Sequence, residues 1–338
     1  MKFRYMIIPL KNKSGIALFL VLWVLVLLSV IVGEFCHAMR TEVNITRNFK
    51  EMTESYYIAE AGLNSAVIEL IKNGGKPFIT TDEDQETQAN DKIRWRINVE
   101  IPPISYAAGQ FEVQIENEYG KINLNRADPA LLKVMLGRFD LEDTEKDVIV
   151  DSILDWRDND DFHRINGAEK EYYLSLPNPY PCKNGDFDSI EELMLVRGVT
   201  SEIFYGGLKD MITVYPNTPS EEKGVNSKKT QSRVNINSAP SQLLLSFPGM
   251  TDDLVQSFME YRKEKDVTLT ADLFSILGEE VYQALTPFVT LETVPYYTIK
   301  SMGSIQGSRV KCGIQVLVKI DPKMEKRYNI LQWIDRID

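Results

Sequence analysis

The sequence predicts an α+β protein: a long N-terminal helix packed on an antiparallel sheet, with a large α-helical domain inserted between the strands. Three observations predict it. An uncharged apolar run, Ile16 to Gly33, is followed by apolar residues at helical spacing. Period-two alternation appears in two widely separated places, after residue 92 and near the C-terminus. The stretch between them carries helical periodicity and is long enough to form a domain of its own.

The helix comes first. The seventeen residues from Ile16 to Val32 rise about 26 Å, close to the thickness of a membrane's hydrocarbon core. Ala59, Leu63, Ala66, Val67 and Leu70 continue the pattern, and Lys72, Gly74-Gly75 and Pro77 supply a stop. One helix from Ile16 to about Asn73 follows, with a single apolar stripe beyond the membrane. Thr80 to Asp91 is polar and acidic, and reads as a loop.

Ile93, Trp95, Ile97, Val99 and Ile101 alternate with Arg94, Arg96, Asn98 and Glu100, the pattern of a half-buried strand. Phe111, Val113 and Ile115 predict a second strand, across a loop holding Pro102-Pro103 and Gly109. Tyr297 and Ile299, the alternation from Val310 to Ile320, and Ile330 to Ile334 predict three more. Helices are expected over Leu131–Met135, Val148–Trp156, Ile190–Val196, Leu243–Phe247, Leu254–Tyr261 and Leu273–Leu277. Pro216–Ser232 reads as a mobile connection. The resulting boundaries are a leader over 1–15, a membrane span over 16–33, the first part of the α/β body over 34–122, the inserted domain over 123–290 and the closing strands over 291–338.

The insertion contains an internal repeat. Lys121-Ile122-Asn123-Leu124-Asn125-Arg126-Ala127, then Pro129 and Leu131-Leu132, matches Arg233-Val234-Asn235-Ile236-Asn237-Ser238-Ala239, then Pro240 and Leu243-Leu244. Each copy pairs a short strand-like alternation with a turn and a proline at a first helical position. Val196-Arg197-Gly198-Val199 and Phe247-Pro248-Gly249-Met250 follow as turns in which glycine suits a positive φ. The second copy is similar to helix-hairpin-helix modules, which aim backbone amides at phosphates. Asp252, Asp253, Glu260, Glu264 and Asp266 surround its Arg262, Lys263 and Lys265, so a packing scaffold is the favoured reading. A membrane-anchored DNA-binding protein of an uptake system or type IV pilus is the alternative.

Composition narrows the function. Of 338 residues, 43% are hydrophobic and 10% aromatic, which describes a globular chain, and the net charge of −11 argues against a broad phosphate-binding surface. Lys2, Arg4, Lys11 and Lys13 precede the apolar run and hold the leader on the cytoplasmic side. Three cysteines cannot build a disulfide scaffold; Cys182 and Cys312 could bond outside the cytoplasm or remain separate thiols. Only His37 and His163 are present, and the Gly224–Thr230 stretch lacks the second glycine of a phosphate loop. An enzyme is not expected.

The densest chemistry is acidic. Asp147, Asp151, Asp155 and Asp158 recur at i, i+4, i+8 and i+11, along one helix face, and Asp160, Asp161, Glu169 and Glu171 follow. Such crowding favours a hard divalent cation, with Ca²⁺ the natural candidate and a solvated acidic face the plain alternative. Asp151, Asp155, Asp158, Asp160, Asp161 and Glu169 are the candidate ligands. Phe162 and His163 occupy the fifth and sixth loop positions, so this is not an EF-hand.

The leader has its own meaning. Lys11-Asn12-Lys13-Ser14-Gly15 stands immediately before the apolar run, so a cut between Gly15 and Ile16 leaves the helix on the mature chain. An uncleaved anchor, or a secretory signal cut after Cys36-His37-Ala38, are the competing readings. The order of parts resembles the type IV pilin and pseudopilin class, whose leader is removed by a prepilin peptidase. Further residues resemble one family closely, the minor pseudopilin K family of type II secretion, also called general secretion pathway protein K. They are Leu22-Trp23-Val24-Leu25, Tyr57 to Gly62, Asn117 to Asn125, and Asp155-Trp156-Arg157-Asp158 with Gly167-Ala168-Glu169. Tyr172-Tyr173-Leu174, Glu191-Glu192-Leu193, Val196 to Val199 and Val234 to Pro240 complete the set.

The resemblance implies a pilin-like fold with a helical insertion, a single pass through the inner membrane and a periplasmic globular part. It also implies cleavage after Gly15, methylation of Ile16, calcium in the inserted domain and a complex with minor pseudopilins I and J at the pseudopilus tip. Most pilins carry Glu at the fifth mature position, to pair with a neighbour's terminal amine; here it is Leu20, which fits a tip position.

Overall fold

The computed structural model describes residues 14–73, 95–216 and 233–337. Most of the leader, the acidic loop around 80–91, the start of the strand expected from Ile93 and the 217–232 connection lie outside the described residues. Helix α1 runs Ser14–Lys72 and reaches about 88 Å at the α-helical rise. Residues 16–50 are exposed along its whole circumference. Burial begins at Ser55 and continues through Ala59, Leu63, Ala66 and Leu70, the i, i+4, i+7 stripe that lies on a sheet.

After α1 come β1 (Ile104–Tyr106) and β2 (Gly109–Asn117). The chain then makes the inserted domain, entering on β3 (Ile122–Asn123), α2 (Pro129–Met135), α3 (Asp143–Arg157) and α4 (Lys170–Leu174). A 3-10 turn over Ile190–Leu195 and short helical turns over 201–211 lead into β4 (Ile212–Thr213). The second half holds β5 (Val234–Asn235), α5 (Ser241–Leu244), α6 (Asp252–Glu264), α7 (Asp272–Leu277), α8 (Glu279–Leu285) and β6 (Val289–Thr290). The chain closes with β7 (Tyr296–Ile305), β8 (Lys311–Ile320) and β9 (Tyr328–Ile337).

Five strands form one antiparallel sheet in the order β1-β2-β7-β8-β9, so the insertion separates neighbouring strands β2 and β7. Across its middle Ile115 pairs with Ile299, Ile299 with Val316, and Val316 with Trp333. Ile115, Ile299 and Val316 share a buried core with Ile58, Leu63 and Leu70 of α1. Close approach of helix and sheet depends on Gly303 in β7, where a Cβ would lie 2.0 Å from the Ser55 carbonyl oxygen. The Ser301 hydroxyl reinforces that contact by donating to the Ala59 carbonyl at 2.7 Å.

One expected strand does not form over its described residues. Trp95–Ile101 alternates in polarity, yet it forms a turn: Asn98 adopts φ +54, and its N–H donates to the Ile115 carbonyl at 2.7 Å. Arg96, placed by the alternation on a solvent face, is instead buried. Its guanidinium caps the C-terminus of α6 by donating to the carbonyls of Lys263 (2.6 Å) and Arg262 (2.8 Å), and pairs with Asp266 at 3.0 Å. A tertiary partner outweighs local alternation here. Pro102-Pro103 then withholds two donors, so the first strand starts only at Ile104.

The inserted domain is not purely helical. Parallel ladders join β3 to β4 and β5 to β6, one in each half. The repeat is a structural duplication. Asn123 and Asn235 each close an Asx turn, accepting from Asn125 N–H (2.9 Å) and Asn237 N–H (2.8 Å). Asn125 and Asn237 in turn clasp a distant backbone with both ends of the amide, at Phe187 and at Val267. Arg157 and Arg262, near the ends of α3 and α6, seal the same loops by donating to the Ala127 carbonyl (2.7 Å) and the Ala239 carbonyl (2.6 Å). Burial lowers both guanidinium groups to about 10. Gly198 and Gly249 both make positive-φ turns, but the counterpart of Gly198 is Gly278, since each lies eleven residues after the clasped backbone.

Candidate functional site

The acidic constellation is built from the C-terminal half of α3 and the loop that follows it. Glu142 and Glu145 form a capping box that starts α3, and Asp158 ends it. The register puts Asp155 and Trp156 inside and leaves Asp147 outside, where it pairs with Lys133 rather than with the other carboxylates. Asp151 accepts from the backbone N–H and the side-chain amide of Asn166, at 3.1 and 3.2 Å. Asp160 closes a turn by accepting from Phe162 N–H, and Asp161 accepts from Asn184. Glu171 is exposed.

Asp155, Asp158 and Glu169 form the inner group. Asp155 is fully buried and Glu169 is 4% exposed. The Arg164 guanidinium donates to both Asp155 and Asp158, the latter at 2.7 Å. Gly167 presses on the same carboxylate; a Cβ there would sit 1.8 Å from Asp155 Oδ2. Asp158 Oδ1 and both oxygens of Glu169 are buried without a hydrogen-bond partner. Burial pushes the Glu169 carboxyl up to about 7 against the opposing influence of the Cys182 thiol, and burial pushes Cys182 up to about 12. Burial also raises Asp155, although its bonds to Arg164 work in the other direction.

Three orphaned carboxylate oxygens are a hard-oxygen donor set of the kind calcium takes. In the described arrangement, however, Arg164 supplies the positive charge, and no three carboxylates among the described residues converge closely enough to hold an ion. Arg164, Asn166, Asn184 and Cys182 were not legible as parts of this site. They come from a loop with no periodicity, and only the fold brings Cys182 beside Glu169. Cys182 packs on the insertion while Cys312 is buried in the sheet, and no disulfide joins them.

The other candidate is the N-terminal end of α1. Ile16, Leu20, Trp23 and the rest of the apolar run are exposed on all sides, long and apolar enough to cross a membrane. Ser14 and Gly15 continue the same helix, and the basic leader residues Lys2, Arg4, Lys11 and Lys13 lie outside the described residues.

A membrane-length helix laid by its C-terminal third on an antiparallel sheet defines a pilin-like protein, here carrying a duplicated domain between its second strand and the next in the sheet. Residues 115–217, which include the acidic loop, match the family described as Type II secretion system (T2SS), protein K. Type II secretion system protein K of Pectobacterium carotovorum is 31% identical over 22% of this chain and 23% of its own length. The Aeromonas hydrophila protein is 22% identical over 57% and 61%, so these matches span a quarter and three-fifths of those relatives. A protein K sequence from Escherichia coli K12 is 23% identical over 82% and 83%. A chain in the crystal structure of the GspK-GspI-GspJ complex of enterotoxigenic E. coli shares the fold, with TM-score 0.55 and 16% identity over 87% of this chain and 99% of that one. The chain is thus similar to type II secretion system protein K, through the family match over residues 115–217 and the weaker likeness over most of its length.

Proposed function

We propose that this chain is a minor pseudopilin at the tip of a periplasmic pseudopilus, where it assists pseudopilus assembly and protein export across the outer membrane. One observation carries the reading: a pilin-like helix and sheet whose second and next strands are separated by a domain-sized insertion. Such bulk would crowd a repeated helical stack and suits a subunit with nothing above it. The role is assembly rather than catalysis. Small pseudopilins corresponding to GspI and GspJ of the crystallised relative are the proposed partners.

Before assembly, the basic leader would stay cytoplasmic and a prepilin peptidase of the inner membrane would cut between Gly15 and Ile16. Ile16 would then carry the methylated amine, and the globular part would face the periplasm. Leu20 supports the tip position, since a subunit at a filament end has no neighbouring amine for a fifth-position carboxylate to neutralise.

In the same reading, calcium would enter the acidic loop in a different arrangement, with Arg164 displaced from Asp155 and Asp158 and the carboxylates drawn together. Asp155, Asp158 and Glu169 would form the centre of the ligand set, with Asp151, Asp160 and Asp161 around it. The orphaned oxygens of Asp158 and Glu169 favour this assignment. The ion would supply charge neutralisation and hold the loop to α3.

N-terminal sequencing of the mature full chain tests the central step. Isoleucine 16 is the expected first residue, and Gly15→Val should leave the leader attached and stop secretion. A mature chain starting at Met39, or normal secretion by the unprocessed variant, would overturn it.

A further inference from the structure

The two edges of the five-stranded sheet are built differently. At one end β1 is three residues long and follows Pro102-Pro103, so it offers little to pair with. At the other end β9 is ten residues long and contains no proline, and among the described residues no strand lies beside one row of its backbone N–H and C=O groups. Both its faces carry apolar side chains. Register with Val318 and Val316 puts Ile330 and Trp333 on the α1 side, and register of Gln315 with Ile334 puts Ile334 on the opposite side. All are about two-fifths exposed, as is Leu331. Soluble proteins blunt such an edge unless it is used.

The side of β9 away from α1 opens into a cleft of about 540 Å³ between the sheet and the inserted domain. Leu331 and Ile334 form its floor at the edge, and Glu191, Asp210 and Gln242 lie on the insertion side. The deeper charges, Glu116, Glu118, Lys121 and Lys300, are paired with one another and Asp188 with Lys183, which leaves Glu191 and Asp210 against Lys209, whose ammonium lies over the Tyr205 ring, and a net acidic mouth. The cleft therefore favours a positively charged side chain.

A second copy of this chain does not fit as the occupant. Antiparallel pairing of two β9 strands needs a two-fold axis perpendicular to the sheet. That axis reverses α1, which lies flat on the sheet, and the two membrane segments would point in opposite directions.

We propose that β9 accepts an extended segment of a different polypeptide as a sixth, antiparallel strand, with apolar side chains beside Ile330 and Trp333 and basic ones in the acidic cleft. Backbone hydrogen bonds supply affinity, and the cleft reads the side chains at alternate positions.

The test uses the full chain in detergent micelles and a fluorescent ten-residue peptide of alternating valine and lysine. Two further peptides carry N-methyl groups, one on the valine amides and the other on the lysine amides, so that each loses the donors of one edge. Saturable binding is expected, abolished by one methylation pattern and kept by the other. Leu331→Lys and Ile334→Lys should each weaken it at least tenfold without lowering the melting temperature. If either variant melts early, the methylated pair on the native chain still decides. No saturable binding, equal binding of both methylated peptides, or a chain dimer that dissociates in these variants would overturn the proposal.

Discussion

Glu169 stands out among single residues because its carboxylate is buried with no partner beyond the weak Cys182 thiol beside it. An unpaired buried charge destabilises a fold, so Glu169→Gln should stabilise the calcium-free protein by about 1 kcal/mol and raise its melting temperature. The same change should abolish the rise produced in the native chain by millimolar calcium, because a ligand that binds only the folded state must stabilise it. Thermal melts of both proteins with and without chelator check this; no calcium shift in the native chain would remove the metal assignment. The candidate carboxylates were readable from their spacing. Their grouping was not, since Asp147 turns away to Lys133 and Arg164 bridges Asp155 and Asp158, choices made by burial and loop path.

At the scale of elements, α1 and the strands on which it lies were legible because each repeats one period over many residues. Trp95–Ile101 shows the limit of that signal: seven alternating residues form a turn because Arg96 has a stronger partner at the end of α6. The helix–sheet contact makes its own prediction. Gly303→Ala would drive a methyl group into the Ser55 carbonyl and the Ala59 amide, 2.0 and 2.6 Å away. Both are backbone atoms and cannot rotate aside, so we expect a loss of about 2–3 kcal/mol. Chemical denaturation should show a lower midpoint with an unchanged slope. Wild-type stability in this variant would mean that the helix does not pack so closely.

For the whole molecule, two of the contacts that tie the insertion to the pilin-like body stand out. One is Arg96 on the end of α6. The other is a polar cluster at the root of the insertion, where Lys121 meets Glu118 at 2.8 Å and Glu116 at 3.3 Å, and Lys300 meets Glu116 at 2.9 Å. Glu118 also accepts from Thr298 at 2.7 Å and from Thr213. Burial works against the Glu116 carboxylate, but Lys121 and Lys300 outweigh it and hold the group below the usual carboxylate range. A carboxylate depressed in the folded state stabilises at neutral pH, and that contribution disappears as pH falls below the ordinary value of 4.5 through the folded one. Glu116→Gln should therefore lower the melting temperature at pH 7 and flatten its decline between pH 5 and 3. Parallel curves for the two proteins would show that the cluster does not contribute.

The polypeptide's order of residues determined the anchor, the long helix, the sheet strands near the C-terminus and the existence of a repeat, because each is a local period or motif. Tertiary structure alone decided that the repeat is two clasped half-domains, that Arg96 belongs to the insertion and that Cys182 faces Glu169. It also decided that β9 ends the sheet as an open edge. Those outcomes depend on contacts between residues tens to hundreds of positions apart, where burial and hydrogen-bond partners, not local propensity, set the energy.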